Sequence, residues 1–301
     1  MAKQKRAQTK ILRESVAVIG HGNWGTSLAY AIRRSSWTLR EIVVREHPAA
    51  PRTRSTKPRH PWPHAALDAE ILWLCVPDDA IEAACAELLR HRPSLRGQIV
   101  THSSGARTAS ALQAARLAGA RTAAVHPVMT FPTRRIVSLK NVLFGIESES
   151  PAARTRLKQL VTAIGGESFP IAAQNKVLYH AAGTLSSPLL VSALTAAEQT
   201  ARLAGLAPAI AAKMTAVLAE ASLANLRTQG PANSFSGPLA RGDAGTIRLH
   251  LEALREHPVL AGVYRALAGH ALESLPVRER ETMAALLQPE TKPARRKQHR
   301  K

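Results

Sequence analysis

Cysteine and aromatic residues are scarce in this chain of 301 residues. Two cysteines, Cys75 and Cys85, cannot build a disulfide framework, and both lie in apolar segments, so we expect buried thiols in a reducing cytoplasm. Aromatic residues make up 4% of the chain, whereas apolar residues make up 45%. The core must therefore consist mainly of Ala, Leu, Val and Ile, which favours helices packed on a sheet over an all-β sandwich.

Long apolar runs are also missing. No stretch approaches the roughly 18 uninterrupted apolar residues of a membrane span. The basic first ten residues are followed by no apolar signal-peptide core, so export is not expected. We therefore predict a cytoplasmic protein without membrane contact.

Several motifs that define other functions are missing as well. The sequence has no C-x-x-C or H-E-x-x-H spacing, and His60 and His64 alone are too few ligands to predict a metal site. The segment Ser103-Ser104-Gly105 does not match the G-x-S-x-G motif of hydrolases. No lysine follows the glycine-rich loop near residue 20, which argues against a nucleoside triphosphatase.

Acidic residues are half as frequent as basic ones, and the formal net charge is +20. Blocks of positive charge lie in residues 1–13 and 289–301, which we predict to be basic disordered tails. The remaining basic residues are mostly arginines scattered among Ala and Leu. This distribution predicts no specific nucleic-acid binding, although it suits a phosphate-bearing cofactor or an anionic substrate.

Short apolar runs alternate with helical patterns in the first half of the chain. The runs cover residues 15–20, 41–44, 71–76, 98–101, 122–125, 142–146 and 168–171. This alternation predicts a Rossmann-type, doubly wound parallel sheet over residues 14–173. The proline-rich stretch 47–67 is incompatible with a helix and reads as a loop. Residues 174–288 have a helical pattern, which predicts an all-α second domain.

A glycine-rich loop joins the first predicted strand to the first predicted helix. Its glycines have the G-x-G-x-x-G spacing, which permits a tight turn, close approach of a pyrophosphate, and close packing of helix on strand. We therefore predict a dinucleotide site at this helix N-terminus. The predicted cofactor contacts are Gly20, His21, Gly22, Asn23, Trp24 and Gly25, together with Val76, Pro77, Asp78, Ser103 and Ser104 at later strand ends.

The end of the second predicted strand bears on the choice between NADP and NAD. Arg45 and Glu46 stand there, and Arg52, Arg54 and Lys57 follow. A guanidinium group pairs with the 2′-phosphate of NADP, whereas a carboxylate binds the ribose hydroxyls of NAD. The inward position of Arg45 favours NADP, and Glu46 leaves NAD open.

Five segments of the chain occur in a recognisable order. They are VPDD (76–79), HSSGA (102–106), HPVMTF (126–131), KVLYHAAG (176–183) and GPLARGDAGT (237–246). Over residues 14–288 the chain resembles a family of Rossmann-like oxidoreductases with a helical domain of unknown function. That family is similar in fold to pyrroline-5-carboxylate reductase, ketopantoate reductase, and the 6-phosphogluconate and β-hydroxyacid dehydrogenases. The resemblance implies a nicotinamide-dependent oxidoreductase whose helical domain, residues 174–288, binds the substrate and forms a homodimer. It implies no particular substrate.

Candidate reactive residues lie in the KVLYHAAG segment. Lys176, Tyr179 and His180 are three or four residues apart, so they share one face of a helix. Delivery of a hydride to a carbonyl or imine requires a proton donor. Lys176 or His180 could supply the proton, and the resemblance to the β-hydroxyacid dehydrogenases, which use a helix-borne lysine, favours Lys176. Tyr179 is a third candidate that could also serve only in packing.

The predicted substrate contacts come from strand ends and from the GPLARGDAGT segment. They are His102, His126, Arg241 and Asp243. Arg241 could bind an anionic substrate, whereas Asp243 could instead cap a helix. The two histidines could instead shape the strand-end loops.

Two features leave a second function open. Ser187-Pro188 stands where members of the resembled family have Ser-Asn, which removes a side-chain amide and disrupts the helix near Thr184. The proline-rich stretch 47–67 also replaces an expected helix. The predicted function is an NADP-dependent oxidoreductase for a small carbonyl, hydroxyl or imine compound. The alternative is a nicotinamide-nucleotide-binding sensor or scaffold without catalysis.

Overall fold

The computed structural model of this chain describes residues 11–45 and 59–288. The chain divides into two compact units, one up to Leu185 and one from Ser186. This division lies later than the predicted boundary between residues 173 and 174, because the helix that begins at Lys176 packs on the first unit. The predicted tails, Glu46 and the cations at 52, 54 and 57 lie outside the described residues.

The first unit contains one sheet of eight strands. In chain order they are β1 (Leu12–Ile19), β2 (Thr38–Val44), β3 (Arg59–Pro61), β4 (Ala69–Leu74), β5 (Ile99–His102), β6 (Arg121–Pro127), β7 (Leu143–Glu147) and β8 (Glu167–Pro170). Their order across the sheet is β3-β2-β1-β4-β5-β6-β7-β8. The predicted Rossmann-type sheet is confirmed. The chain moves outward from β1 in both directions, so the crevice for a ligand is expected outside the ends of β1 and β4.

One strand pair departs from the predicted parallel arrangement. Strands β6 and β7 are antiparallel, whereas the other neighbouring pairs are parallel. Residues 128–142 between these two strands contain no helix. A parallel neighbour needs a crossover connection, usually a helix, so this segment returns the chain in the opposite direction.

Helices cover both faces of the sheet. They are α1 (Asn23–Arg33), α2 (Ile81–His91), α3 (Gln113–Leu117) and α4 (Pro151–Ala163), and α5 (Lys176–Ser186) completes the unit. Along β1, Val16 and Val18 belong to the core shared with α1 and α4, whereas Ala17 and Ile19 belong to the core shared with α2 and α3. Successive strand residues point to opposite faces, so a continuous apolar run such as β1 fits a sheet buried on both sides.

The proline-rich stretch contains a strand that the sequence did not predict. Arg59–Pro61 pairs with Ile42–Val44 of β2 as the edge strand β3, and Trp62–His64 forms one 3₁₀ turn. An edge strand tolerates proline because one side of its backbone needs no hydrogen bonds. The described part of the stretch, residues 59–67, contains no α-helix, as expected.

The second unit is helical. Its helices are α6 (Pro188–Leu203), α7 (Pro208–Ser234), α8 (Pro238–Arg241), α9 (Ala244–Ala253), α10 (Pro258–Ser274) and α11 (Arg280–Leu287). A core of Ile247, Leu251, Leu272, Met283 and other residues joins α9, α10 and α11. Helix α7 is interrupted at Gly230, whose φ of 75° is not helical, directly before Pro231.

Two helical stretches are longer and more apolar than the sequence analysis expected. Ala173–Leu203 and Pro208–Arg241 reach the length and composition of a membrane span, with mean hydropathy of 1.3 and 1.2. One or two such helices are weak evidence of a membrane span, because the buried core helices of soluble proteins and signal sequences pass the same criterion. In these two stretches, 0% and 11% of the apolar window is buried. The expectation of no membrane contact was drawn from uninterrupted apolar runs, a stricter criterion than mean hydropathy.

Candidate active site

The glycine-rich loop lies between β1 and α1, at the carboxyl end of the central strand. Gly20 has φ of +102°, and a Cβ atom there would lie 2.4 Å from the carbonyl oxygen of Cys75. A Cβ at Gly25 would lie 2.3 Å from the carbonyl oxygen of Gly20. Both positions therefore require glycine, the first for the turn and the second for close packing of α1 on β1.

Gly22 differs from the other two glycines of the loop, because nothing lies within 4 Å of the position that its Cβ would occupy. It is the N-cap of α1 and makes no side-chain capping hydrogen bond. The N–H groups of the first turn thus face an open space next to the positive end of the helix dipole. This arrangement fits a phosphate group.

Trp24 and Ser103 are both half-buried and are hydrogen-bonded to each other. The indole N–H groups of Trp24 and Trp73 both donate to Ser103 Oγ, at 2.6 Å and 2.7 Å. Burial raises the pKa of the neighbouring Cys75 thiol. Ser103 Oγ therefore accepts two hydrogen bonds within the protein, and its contact with a cofactor stays a prediction.

The loop after β6 is attached to the start of α1. Asn23 Nδ2 donates to the carbonyl oxygen of Phe131 at 2.8 Å, and the rings of Trp24 and Phe131 lie 4.9 Å apart. Sequence reasoning missed Phe131 and Trp73. Trp73 lies in the apolar run 71–76, where an aromatic residue is indistinguishable from an ordinary core residue. Phe131 lies in the HPVMTF segment, but the sequence does not show that it contacts the start of α1.

His102 does not contact the crevice, contrary to its prediction as a substrate contact. It is fully buried at the end of β5. Its Nδ1 accepts the backbone N–H of Ser104 at 3.1 Å, so Nε2 carries the proton and donates to the carbonyl oxygen of Thr108 at 3.0 Å. Burial lowers the pKa of His102 to about 4. The neutral imidazole thus shapes the strand-end loop, the alternative that the sequence left open.

This burial predicts acid sensitivity of the fold. The unfolded chain binds a proton at His102 below its ordinary pKa of 6.5, whereas the folded chain binds one only near pH 4. The free energy of unfolding should therefore fall as the pH decreases from about 6.5 to 4, by about 3 kcal/mol for this residue. Urea unfolding of the wild type and His102→Asn across this range measures the effect. We expect a smaller pH dependence in His102→Asn and an unchanged one in the control His64→Asn, and equal pH dependence in all three would contradict the prediction.

Ser104 and Lys176 belong to one buried hydrogen-bond network. Ser104 Oγ donates to Asp78 Oδ2 at 2.6 Å and accepts the backbone N–H of Arg107 at 2.9 Å. Lys176 Nζ donates to the carbonyl oxygen of Ser104 at 3.1 Å. Lys176 is fully buried, whereas Asp78 is exposed next to Pro77 after β4. The carboxylate of Asp78 is the member of this network that faces solvent.

Tyr179, His126 and His180 form a second cluster, on the face of α5 that carries Lys176. Tyr179 Oη and His126 Nδ1 are hydrogen-bonded at 2.7 Å, and the rings of His126 and His180 lie 5.8 Å apart. All three side chains are half-buried. Among the described residues, no hydrogen-bond partner lies on the His180 ring nitrogens. The phenol and this imidazole are therefore the members of the predicted reactive set that a ligand can reach.

Two glycines make room for this cluster. A Cβ at Gly105 would lie 2.4 Å from His180 Cδ2 and 3.0 Å from His126 Nε2, and a Cβ at Gly145 would lie 3.0 Å from Tyr179 Oη. Burial lowers the pKa of His126 to about 4 and raises the pKa of Tyr179 to about 12. At neutral pH, His126 is therefore uncharged and Tyr179 keeps its proton.

The remaining predicted site residues are placed as follows. Arg45 is exposed directly after β2, and His21 and Val76 are half-buried in the loops after β1 and β4. Arg241 and Asp243 belong to the second unit, where Asp243 accepts the N–H and the hydroxyl of Thr246 and caps α9. Asp243 therefore has the capping role that the sequence left as an alternative. Among residues 11–45 and 59–288, no cluster of three or more metal-ligating side chains occurs.

Comparison with protein families identifies both halves of the chain. Residues 1–127 match the Rossmann-like domain, and residues 142–271 match a domain of unknown function, DUF2520. The second match begins before β7, so it includes two strands and helix α5, with Tyr179 and His180, of the first unit. No curated protein sequence matches this chain significantly.

Solved structures of the same fold were also found. A candidate NADP oxidoreductase from Bacteroides fragilis is 19% identical, with a TM-score of 0.66, and the match covers 85% of this chain and 96% of that one. Pyrroline carboxylate reductase of Plasmodium falciparum with NADP bound is 12% identical, with a TM-score of 0.57 and coverage of 92% and 100%. A reductive aminase from Aspergillus terreus in complex with NADPH and ethyl-5-oxohexanoate is 17% identical, with a TM-score of 0.61 and coverage of 91% and 99%. The chain thus combines a Rossmann-like domain with a DUF2520 domain, as its sequence motifs indicated.

Proposed function

We propose that this protein is an NADP-dependent oxidoreductase that transfers hydride to or from a small carbonyl, hydroxyl or imine compound. The observation that carries the proposal is the open space at Gly22, next to the uncapped N-terminus of α1. The likeness in fold to structures that contain NADP or NADPH supports this assignment. The basic character of the chain favours an anionic substrate.

The residues around the crevice suit an NADP molecule. The first turn of α1 would bind the pyrophosphate, Arg45 the 2′-phosphate, and the loop at Val76-Pro77-Asp78 the nicotinamide ribose. When bound, the nicotinamide supplies or accepts the hydride. The chain itself must then orient the ring, exclude water and supply or remove one proton.

We assign the proton to Tyr179 rather than to Lys176. Lys176 is fully buried, whereas Tyr179 and His180 are half-buried on the adjacent turn of α5. With Nδ1 protonated, His126 donates to Tyr179 Oη, which leaves the phenol hydroxyl free for the substrate. During reduction this hydroxyl gives its proton to the substrate oxygen or nitrogen, and the resulting phenolate is stabilised by His126 until solvent reprotonates it. His180 lies within the same cluster and would contact the substrate.

Replacement of Arg45 by alanine tests the choice of cofactor. We expect NADPH affinity to fall by roughly 10- to 100-fold, since one charge-assisted contact with a phosphate is lost. NADH affinity should change little. Fluorescence titration with both nucleotides measures the effect, and Arg121→Ala, at the opposite end of the sheet on β6, is the matched control. A wild type that prefers NADH, with no change in Arg45→Ala, would contradict the NADP assignment.

The second unit is proposed to form a homodimer. Leu189, Val191, Val217 and Leu218 on α6 and α7 are about half exposed or more. A groove of about 650 Å³ among α6, α7, α9 and α10 is lined mainly by Ala and Leu side chains. Apolar surface of this extent favours association with a second copy.

Light scattering tests the dimer. Leu218→Glu is expected to reduce the measured mass to that of the monomer, because it places a charge in the apolar interface. Leu117→Glu introduces the same change on α3 of the first unit and should leave the dimer intact. A wild type that stays monomeric at high concentration would rule the dimer out.

The second candidate is a nicotinamide-nucleotide-binding sensor or scaffold. Helix α5 ends at Ser186 and α6 begins at Pro188, so the chain has a break where the resembled family carries an amide side chain. Tight NADPH binding without oxidation across a panel of carbonyl and imine compounds would favour this candidate over the oxidoreductase.

A further inference from the structure

Lys176 is the most deeply buried charged side chain near the crevice. None of its surface is exposed, and its Nζ donates to the carbonyl oxygen of Ser104. Full burial of a lysine is rare and requires compensating partners. The carboxylates of Asp78 and Glu147 provide opposite charge, and burial lowers the pKa of the lysine.

The loop that accepts this hydrogen bond is fixed by three further hydrogen bonds to its backbone N–H groups. The Ser104 N–H is bound by His102, the Arg107 N–H by Ser104 Oγ, and the Ala109 N–H by Glu147 Oε2 at 2.6 Å. These bonds fix the chain on both sides of the Ser104 carbonyl. Lys176 is the group that fixes the carbonyl itself.

The loop borders the crevice through Asp78. Ser104 Oγ donates to this exposed carboxylate, which follows the carboxyl end of β4. In open α/β sheets the ligand lies outside the strand ends. The position of the Ser104 backbone therefore determines the position of a side chain that a ligand can reach.

We propose that Lys176 is a positioning residue, which fixes the loop from Ser103 to Arg107 and thereby shapes the half of the cofactor site beyond the pyrophosphate. This inference rests on the proposed function. A substrate could touch the lysine only if α5 left the sheet, since its ammonium group is enclosed on all sides. The residue thus acts through Ser104 and Asp78, whereas Tyr179 and His180 are only half-buried.

The position of the loop predicts an effect on one half of NADPH only. Lys176→Met removes the ammonium group at similar side-chain length, and Lys176→Arg keeps the charge. Affinity of both variants for NADPH and for 2′,5′-ADP, which lacks the nicotinamide half, is measured by titration, together with thermal unfolding. In Lys176→Met we expect a loss of roughly 10- to 100-fold for NADPH and less than about twofold for 2′,5′-ADP. Lys176→Arg should recover part of the loss.

Ser104→Ala provides a second route to the same loop without changing the lysine. It removes the hydrogen bonds to Asp78 and from Arg107, so it should also weaken NADPH binding and leave 2′,5′-ADP binding unchanged. This variant decides the matter if Lys176→Met does not fold.

Three results would overturn the proposal. Equal losses for NADPH and 2′,5′-ADP would indicate a general effect on the fold. Unchanged NADPH affinity in Lys176→Met or in Ser104→Ala would show that the loop does not shape the site. If Lys176→Met kept its NADPH affinity but lost turnover, Lys176 would be identified as a proton donor instead. A wild type that binds neither ligand would refute the proposed function and with it this inference, whereas the other two results leave the proposed function standing.

Discussion

Replacement of Gly22 by alanine is expected to weaken NADPH binding by about 100-fold while the fold stays intact. The backbone φ of Gly22 is −79°, which alanine adopts without strain, and no atom lies within 4 Å of the new methyl group. The methyl group would instead occupy the space in front of the α1 N-terminus. There it would displace a phosphate from N–H donors whose hydrogen bonds to a charged group contribute about 1.5–3 kcal/mol each.

The control for this substitution is Gly269→Ala in α10, where a Cβ also meets nothing within 4 Å. It should leave NADPH affinity unchanged. Affinity is measured by fluorescence titration and folding by thermal unfolding. Wild-type affinity in Gly22→Ala would show that no pyrophosphate binds at this loop and would remove the main support for the proposed function.

Replacement of Tyr179 by phenylalanine is expected to lower turnover by roughly 10²- to 10⁴-fold, the usual contribution of a positioned acid or base. The substitution removes one oxygen atom, so NADPH affinity should change by less than about threefold. Because the pKa of Tyr179 is raised to about 12, its proton stays in place across the neutral range. Turnover that depends on this group should therefore show no loss from phenol ionisation below about pH 10.

Tyr264 offers a matched control for this experiment. Its Oη lies 3.1 Å from His250 Nδ1 in the second unit, and burial raises its pKa as well. Tyr264→Phe should therefore keep full turnover. Oxidation of NADPH is followed with a panel of small oxo acids, ketones and cyclic imines. If turnover of Tyr179→Phe stayed within about twofold of the wild type, the role of proton donor would have to be reassigned to His180 or to solvent.

The glycine-rich loop was the most predictable part of the site. Its three glycines could be located from spacing and from the adjoining apolar run, because the tight turn and the helix packing are local requirements. The carboxyl ends of β1 and β2 also followed closely from the apolar runs 15–20 and 41–44, whereas both strands begin three residues earlier than these runs. Strand β3 was missed because its three residues include a proline, which only an edge position tolerates.

The α5 cluster could be predicted only in part. The spacing of Lys176, Tyr179 and His180 correctly placed them on one helix face, since this depends on helix geometry alone. The spacing could not show which of the three side chains remains accessible to a ligand. The sequence analysis favoured Lys176 as a proton donor, yet this residue lies beneath the strand-end loop and is fully buried.

Amino-acid order alone determined where strands and helices alternate, where glycine is required, and which side chains share a helix face, because each of these properties arises within about twenty consecutive residues. The tertiary structure decided which polar groups are occupied by other parts of the chain. Ser103 is bound by two indoles, and the carbonyl group of Ser104 is bound by Lys176. These partners are brought together by the sheet from distant segments, so no local pattern records them.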